Sequence, residues 1–214
     1  MARFPPMPPL DHRPAVRHLV RADPVLARVI RQVGPCRLRT RRSGTHFEAL
    51  ARAIVYQQLS GKAAATIHRR VVELYPQRRL RPELVSATDD ATLRAAGLSR
   101  QKIGYLRDLA ERVASGSVPL ARLDRLDDDT ILERLTQVKG IGRWTVQMFL
   151  MFRLGRPDVL PELDLGVQNA IQRAYGLAAR PTPTQVVEIG APWRPYASVA
   201  AWYLWRSLEG EAAL

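Results

Sequence analysis

The chain has 214 residues, of which 46% are hydrophobic, as in globular proteins built from one large domain or two small lobes. Its 33 basic and 20 acidic residues give a formal net charge of +13, which favours nucleic acid as a partner and, less often, an acidic membrane surface. Cys36 is the only cysteine, which excludes a disulfide framework and a cysteine-ligated metal cluster. No apolar run reaches the ~20 residues of a membrane span and no signal-peptide core follows Met1, so we expect a reducing, cytoplasmic setting.

The N-terminal part of the chain combines prolines with basic residues. Residues 1–14 are predicted to form a loosely packed arm, and a short helix is predicted around 24–33. The run Arg37-Leu-Arg-Thr-Arg-Arg42 is explained either as a solvated face or as a contact with a nucleic-acid backbone. Both explanations stay open at the level of sequence.

From His46 onward, apolar residues recur at the three- and four-residue spacing of helices. Such stripes occur over 47–54, over 67–74 in a helix that begins after Ser60-Gly61, and over 103–113. The run Asp127-Asp-Asp-Thr130 places acids at the start of a fourth helix, where the helix dipole favours them.

The C-terminal half continues this pattern. A strongly apolar helix is predicted over 144–154, and prolines make the following segment, 156–161, extended. Asp164 stands where a new helix begins and Gly176 where it ends, and two further helices start near 181 and 193. Because no segment alternates like a strand, we predict an all-α fold of about ten short helices.

The most informative segment is a hairpin at 135–146, in which Gly140 and Gly142 flank Ile141 between two apolar helices. Glycines permit a tight turn and let backbone N–H groups approach a ligand closely. The turn is explained either by helix packing alone or by a grip on phosphate that does not read sequence. The residues that would join the two glycines at a nucleic-acid backbone are Lys139, Arg143 and Thr145.

Together with the segment Asp158-Val-Leu-Pro-Glu-Leu-Asp-Leu-Gly-Val167, the hairpin resembles the helix-hairpin-helix (HhH-GPD) DNA glycosylase superfamily. Segments 47–65, 97–107 and 192–205 are similar to its alkylation-repair branch, 3-methyladenine DNA glycosylase II, without that branch's N-terminal β domain. The resemblance covers about residues 45–206. It implies two helical lobes with a DNA-binding cleft between them: a central lobe over 46–165, and a second lobe built from 1–45 and 166–214.

The resemblance implies a monofunctional DNA glycosylase of base excision repair, which flips a damaged base out of DNA and hydrolyses its N-glycosidic bond. The catalytic aspartate maps to Asp164, a residue that a helix N-cap would also explain. Its carboxylate would stabilise an oxocarbenium-like sugar. In the lyase branch a lysine follows the second hairpin glycine by two residues, but here that position is Trp144, so we expect no AP-lyase activity.

Candidates for the pocket of the extruded base are Trp144, Trp202, Tyr56 and Met148, and the resemblance places Trp144 and Trp202 nearest to Asp164. Aromatic residues at helical spacing more often belong to a core, and core positions are expected for Trp193 and Trp205.

The side chain that fills the gap left by the base maps to Gln58, with Leu59 beside it. A polar residue at the end of a helix, however, needs no special role. The preferred lesion stays open among 3-methyladenine, 7-methylguanine, ethenoadenine, hypoxanthine and 1-methyladenine. A glycosylase of another specificity and a non-catalytic DNA-binding protein are the alternative functions.

The resemblance also implies a monovalent cation, Na⁺ or K⁺, held by the backbone carbonyls of Thr136, Val138 and Ile141. No other cofactor is expected, and a single cysteine excludes the superfamily's iron–sulfur cluster. The four histidines show no metal-ligand spacing. The expected partner is double-stranded DNA with a damaged base, bound by a nucleoid-associated monomer without membrane contact.

Overall fold

The computed structural model describes residues 11–41 and 43–209. Within these ranges the chain forms helices and no strand, which confirms the predicted all-α class. Residues 1–10 of the predicted arm and Arg42 of the basic run lie outside the described residues. Among the described helices, none is long and apolar enough to cross a bilayer.

Twelve α-helices occur in the described ranges. In chain order they are α1 (Arg13–Ala22), α2 (Pro24–Val33), α3 (His46–Tyr56), α4 (Gly61–Glu73), α5 (Pro82–Ala87), α6 (Asp90–Ala95), α7 (Arg100–Ala114), α8 (Asp128–Thr136), α9 (Arg143–Phe149), α10 (Leu165–Tyr175), α11 (Pro183–Gly190) and α12 (Ala197–Glu209). The helix predicted over 144–154 is α-helical only as far as Phe149, because Leu150–Leu154 forms a π-helical turn. Helices α1, α5 and α6 were not predicted from the sequence, and the last two have only six residues each, too few for a periodic stripe.

Side chains at the helix starts explain where several of these elements begin. The hydroxyl of Ser60 accepts the Ala63 N–H at the start of α4, and Oδ1 of Asp127 accepts the Thr130 N–H at the start of α8. Such caps satisfy backbone donors that have no partner inside the helix. Both starts lie where the sequence placed them.

The described residues divide into two compact units. Residues 11–41 and 150–209 form unit 1, and residues 43–149 form unit 2. The segment 150–165, which sequence analysis placed with the central lobe, therefore groups with unit 1. Within that unit, the Arg41 N–H donates to the Phe152 carbonyl at 2.7 Å, and Ser198 Oγ donates to the Arg156 carbonyl at 2.8 Å.

Each unit has its own apolar core. In unit 1, α12 is buried from Ala197 to Leu204, and Trp193 is fully buried, which confirms its predicted core position. In unit 2, Leu50 and Ile54 of α3 and Leu106 of α7 are fully buried. The core of unit 2 holds α3 and α7 in place, and the core of unit 1 holds α10 and α12 in place.

Candidate active site and nucleic-acid interface

The hairpin between α8 and α9 needs its two glycines for different reasons. Gly140 has φ +81°, and a Cβ atom there would overlap the ring of Tyr105 from α7. A Cβ atom at Gly142 would meet nothing within 4 Å. Packing inside the protein therefore requires the first glycine but not the second, which leaves the second consistent with close approach of a ligand.

Two side chains of unit 2 hold the hairpin. Oδ2 of Asp108 accepts the backbone N–H of Lys139 and Nε of Arg112, each at 2.9 Å. Burial raises the pKa of Asp108, but these hydrogen bonds and the neighbouring positive charges outweigh it and hold the pKa below the usual value. Nε2 of Gln57 donates to the Gly140 carbonyl at 2.7 Å.

The loop between α3 and α4 carries the predicted wedge. Gln58 is exposed and has φ +55°, a left-handed conformation that costs a non-glycine residue about 1–2 kcal/mol. Leu59, beside it, is 39% exposed. Nζ of Lys102 donates to the carbonyls of Val55 and Gln57 at 2.7 Å each, and thereby fixes the backbone just before the strained residue.

A cavity of about 710 Å³ in unit 2 brings several predicted residues together. Tyr56, Met148 and Trp144 line it, as do Gln58 and Leu59. Trp144 is 42% exposed, although an apolar aromatic ring is normally buried in a core. The guanidinium of Arg52 lies over the ring of Tyr56, 3.7 Å from its centroid, a cation–π contact. The remaining lining residues are Ala53, Gln57, Gln101, Lys102, Tyr105, Gly140 and Thr145.

Among the predicted DNA-contacting side chains, Lys139 and Thr145 differ in exposure. Lys139 is largely exposed, with its Nζ 4.0 Å from Oδ1 of Asp108. Thr145 is only 6% exposed and lines the cavity. Among the three backbone carbonyls predicted to hold a cation, that of Val138 accepts the Ile141 N–H at 3.0 Å.

Asp164 belongs to unit 1 and caps the start of α10. Its Oδ1 accepts the Val167 N–H and Nε1 of Trp205, each at 2.8 Å. The ring of Trp205 stacks on Phe152 with centroids 5.8 Å apart. Asp164 is therefore a helix cap, as local sequence suggested, and its carboxylate is fixed by a second donor that a cap does not need.

Gly166 makes room for this arrangement. A Cβ atom there would lie 3.0 Å from both Oδ1 of Asp164 and Cδ1 of Trp205. The Asp-Leu-Gly-Val pattern thus has a physical reason, because a larger residue at 166 would press on both the indole and the carboxylate. The residues on either side of Asp164 are apolar and exposed, with Leu163 at 46% and Leu165 at 58%.

The other predicted aromatic residue of unit 1, Trp202, is 7% exposed. Its ring meets Tyr203 edge-on at 5.0 Å, and the guanidinium of Arg206 lies 5.6 Å from its centroid. In the described part of the chain, no group of three or more His, Cys, Asp or Glu side chains could hold a metal ion.

The family model of the HhH-GPD superfamily, base excision DNA repair proteins, matches residues 51–195. The chain belongs to the HhH-GPD superfamily. This confirms the resemblance drawn from the hairpin and the Asp164 segment.

Relatives within the superfamily cover nearly the whole chain. DNA-3-methyladenine glycosylase 1 of Schizosaccharomyces pombe is 37% identical over 89% of this chain and 85% of its own length. The solved structure of the S. pombe 3-methyladenine DNA glycosylase Mag1 in complex with abasic DNA has a TM-score of 0.80 and 38% identity, with 90% and 95% of the two chains covered. The Bacillus halodurans DNA-3-methyladenine glycosidase has a TM-score of 0.84 and 37% identity, with 97% and 94% covered.

Three residues that hold parts of the candidate site in place were not predicted from the sequence of this HhH-GPD chain. Trp205 was expected to serve only the core, but its N–H donates to Asp164. Gln57 and Lys102 were not singled out, yet they fix the wedge loop. A signal did exist for Lys102, because it is one of three lysines among 33 basic residues and lies in one of the segments that carry the family resemblance.

Proposed function

We propose that this HhH-GPD protein is a monofunctional DNA glycosylase of base excision repair that removes alkylated bases of the 3-methyladenine type. The observation that carries the proposal is the doubly held carboxylate of Asp164 at the start of α10. The printed names of the relatives support the substrate class. The S. pombe relative is described in complex with abasic DNA, the product that such a reaction leaves.

In the proposed reaction the bond between C1′ of the sugar and the base nitrogen breaks, and its electron pair leaves with the base. The sugar gains oxocarbenium character, which the Asp164 carboxylate stabilises electrostatically. Water then adds its oxygen to C1′, guided by the same carboxylate, and releases a proton. An alkylated purine with a positive charge is already a good leaving group, so one carboxylate suffices.

Base extrusion is the second part of the proposal. Trp144, Tyr56 and Met148 line the unit 2 cavity and supply the aromatic and apolar surface that a flipped base requires. Gln58 and Leu59 fill the gap in the base stack. For Trp202, contact with the base is proposed from the family resemblance alone.

DNA binding is assigned to the hairpin. Gly140 turns the chain, Gly142 lets a phosphate approach the start of α9, and Lys139, Arg143 and Thr145 flank the two glycines. The carbonyls of Thr136, Val138 and Ile141 would hold a Na⁺ or K⁺ ion, which would supply a positive charge next to the phosphate. The protein acts as a cytoplasmic, nucleoid-associated monomer.

The proposal includes the absence of lyase activity. Trp144 occupies the place of a Schiff-base lysine, and the one lysine that lines the cavity, Lys102, donates to two backbone carbonyls. Borohydride added to a reaction on damaged or abasic duplex should trap no covalent adduct. An adduct would contradict the monofunctional assignment. If the adduct then disappeared in Lys102→Met, the amine that formed it would be that of Lys102.

The deciding experiment compares the native protein with Asp164→Asn on duplexes that carry one defined lesion each. The panel comprises 3-methyladenine, 7-methylguanine, ethenoadenine, hypoxanthine and 1-methyladenine. We expect release of at least one alkylated base by the native protein, no release by the variant, and similar DNA affinity for both. Undiminished excision by the variant would refute the role of Asp164.

The two alternative functions give different results on an extended panel. A non-catalytic DNA-binding protein would bind the duplexes and release no base. A glycosylase of another specificity would also leave the alkylated bases in place, but it would release the base from added duplexes that carry an oxidised base or a mismatch.

A further inference from the structure

The side chain of Lys102 spans from α7 to the end of α3. Its Nζ donates to the carbonyls of Val55 and Gln57, each at 2.7 Å. Carbonyls in the last turn of a helix have no partner inside the helix, so an ammonium group is well suited to them. Lys102 thus takes the place of the C-terminal cap of α3.

The capped segment leads directly into a strained residue. Gln58 follows Gln57 and has φ +55°, although it is not a glycine. Such a conformation persists only where its surroundings hold it. Here Lys102 holds the Gln57 carbonyl, and Nε2 of Gln57 donates to the Gly140 carbonyl at 2.7 Å.

The same helix also holds the hairpin. The ring of Tyr105 lies under Gly140 where a Cβ atom would be, and Asp108 accepts the Lys139 N–H at 2.9 Å. Lys102, Tyr105 and Asp108 all belong to α7. One rigid helix therefore fixes both the hairpin and the loop that carries Gln58.

We propose that Lys102 is a positioning residue for base extrusion. It holds the backbone before Gln58, so that the Gln58 side chain is already oriented to enter the base stack when the hairpin binds DNA. This inference rests on the proposed function, because it takes Gln58 as the wedge. Lys102 acts through the loop and contacts neither the base nor the sugar. Its loss therefore slows extrusion and leaves backbone binding in place.

The test uses duplex DNA with 2-aminopurine next to an alkylated base, because this fluorophore brightens when its neighbour unstacks. Lys102→Met removes the three N–H donors and keeps most of the stem. Lys62→Met, at an exposed position in the first turn of α4, removes the same charge from a side chain that forms no hydrogen bond with the loop, and is the matched control. Lys102→Arg keeps a cationic donor and tests rescue.

For Lys102→Met we expect a fall of about tenfold or more in the single-turnover excision rate, loss of the fluorescence increase, and duplex affinity within about threefold of the Lys62→Met control. Lys102→Arg should recover a large part of both signals. A rate and brightening equal to those of Lys62→Met would overturn the proposal.

A double-mutant cycle with Gln58→Ala shows whether Lys102 acts through the loop. In the Gln58→Ala background, Lys102→Met should slow excision by less than about twofold. Full additivity of the two effects would overturn the proposal, because it would mean that Lys102 acts by another route.

A readout without activity separates this inference from the proposed function. In the free protein, Lys102→Met should accelerate amide hydrogen exchange at residues 57–60 and leave exchange in α8 and α9 unchanged. Unchanged exchange at 57–60 would refute the positioning role even in an active enzyme. A native protein that releases no base from the panel would instead refute the proposed function.

Discussion

Nε1 of Trp205 donates a hydrogen bond to Oδ1 of Asp164 at 2.8 Å, and the same oxygen accepts the Val167 N–H at 2.8 Å. A cap alone would leave the carboxylate free to rotate about its own bond, whereas two donors on one oxygen fix its plane. Phe152 stacks against the indole ring and limits its movement. The geometry of the proposed catalytic group thus depends on a residue 41 positions away in the chain.

Replacing Trp205 with Phe keeps an aromatic ring next to Phe152 but removes the N–H donor, together with the pyrrole part of the indole. A hydrogen bond to a charged group contributes about 1.5–3 kcal/mol, so the single-turnover excision rate should fall about 10- to 100-fold if the bond is needed in the transition state. Affinity for the damaged duplex should change less than threefold, because the indole N–H already has a partner in the protein. A variant with the native rate would show that the bond serves packing only.

A methyl group at position 166 should disturb the same hydrogen bond from the other side. In Gly166→Ala the new Cβ would lie 3.0 Å from Cδ1 of Trp205 and from Oδ1 of Asp164, so the indole or the carboxylate must move. We expect slower excision, comparable with the loss in Trp205→Phe, measured on the same duplex. Gly104→Ala in α7 is the matched control, since a Cβ there meets nothing within 4 Å and alanine favours a helix by up to about 1 kcal/mol.

Much of the fold could be predicted from sequence because its signals are local. Apolar spacing predicted α3 and α7, and capping residues such as Ser60, Asp127 and Asp164 marked helix starts correctly. These signals depend on residues within one or two turns of each other. That the segment 150–165 belongs to unit 1 could not be predicted in this way, because it depends on contacts such as that between Arg41 and Phe152.

The hydrogen bonds that hold the candidate site residues also join residues that are far apart in the sequence. Lys102 reaches a carbonyl 47 positions away, and Gln57 one that is 83 positions away. Nothing in the local pattern distinguishes Trp205 from a core aromatic residue, since both occur at helical spacing. The family resemblance supplied Asp164 and Trp144, but the residues that hold such groups in place became visible only with the fold.

Substitutions at the two hairpin glycines distinguish a role in packing from a role in ligand binding. Gly140→Ala should unfold the turn, because the methyl group overlaps Tyr105 and φ is +81°. Gly142→Ala should leave the melting temperature within about 2 °C of the native value, since no protein atom lies within 4 Å of the new Cβ. If a phosphate approaches this backbone, Gly142→Ala should weaken duplex binding about tenfold or more. Native affinity would favour a hairpin used for packing alone.

Asp23 should make the stability of unit 1 depend on pH. Burial by itself raises the pKa of this carboxyl, but hydrogen bonds from Trp193 and Tyr175 and from the Leu26 and Val25 amides outweigh burial and lower it. Because the pKa in the folded state lies below the unfolded value of about 3.9, the stabilisation is complete above about pH 4 and is lost as the pH falls through the folded-state pKa.

Asp23→Asn should therefore lower the free energy of unfolding at pH 7 by about 1–3 kcal/mol, since the amide nitrogen meets donors where the carboxylate accepted them. In urea titrations the difference from the native protein should be the same at pH 7 and pH 5 and should shrink only between pH 4 and pH 3 and below, because protonation of Asp23 removes the same charge. Glu188→Gln, at an exposed position of α11, is the control and should unfold like the native protein at each pH. A deficit of Asp23→Asn that stays constant down to pH 3 would mean that shape, rather than charge, accounts for the role of Asp23.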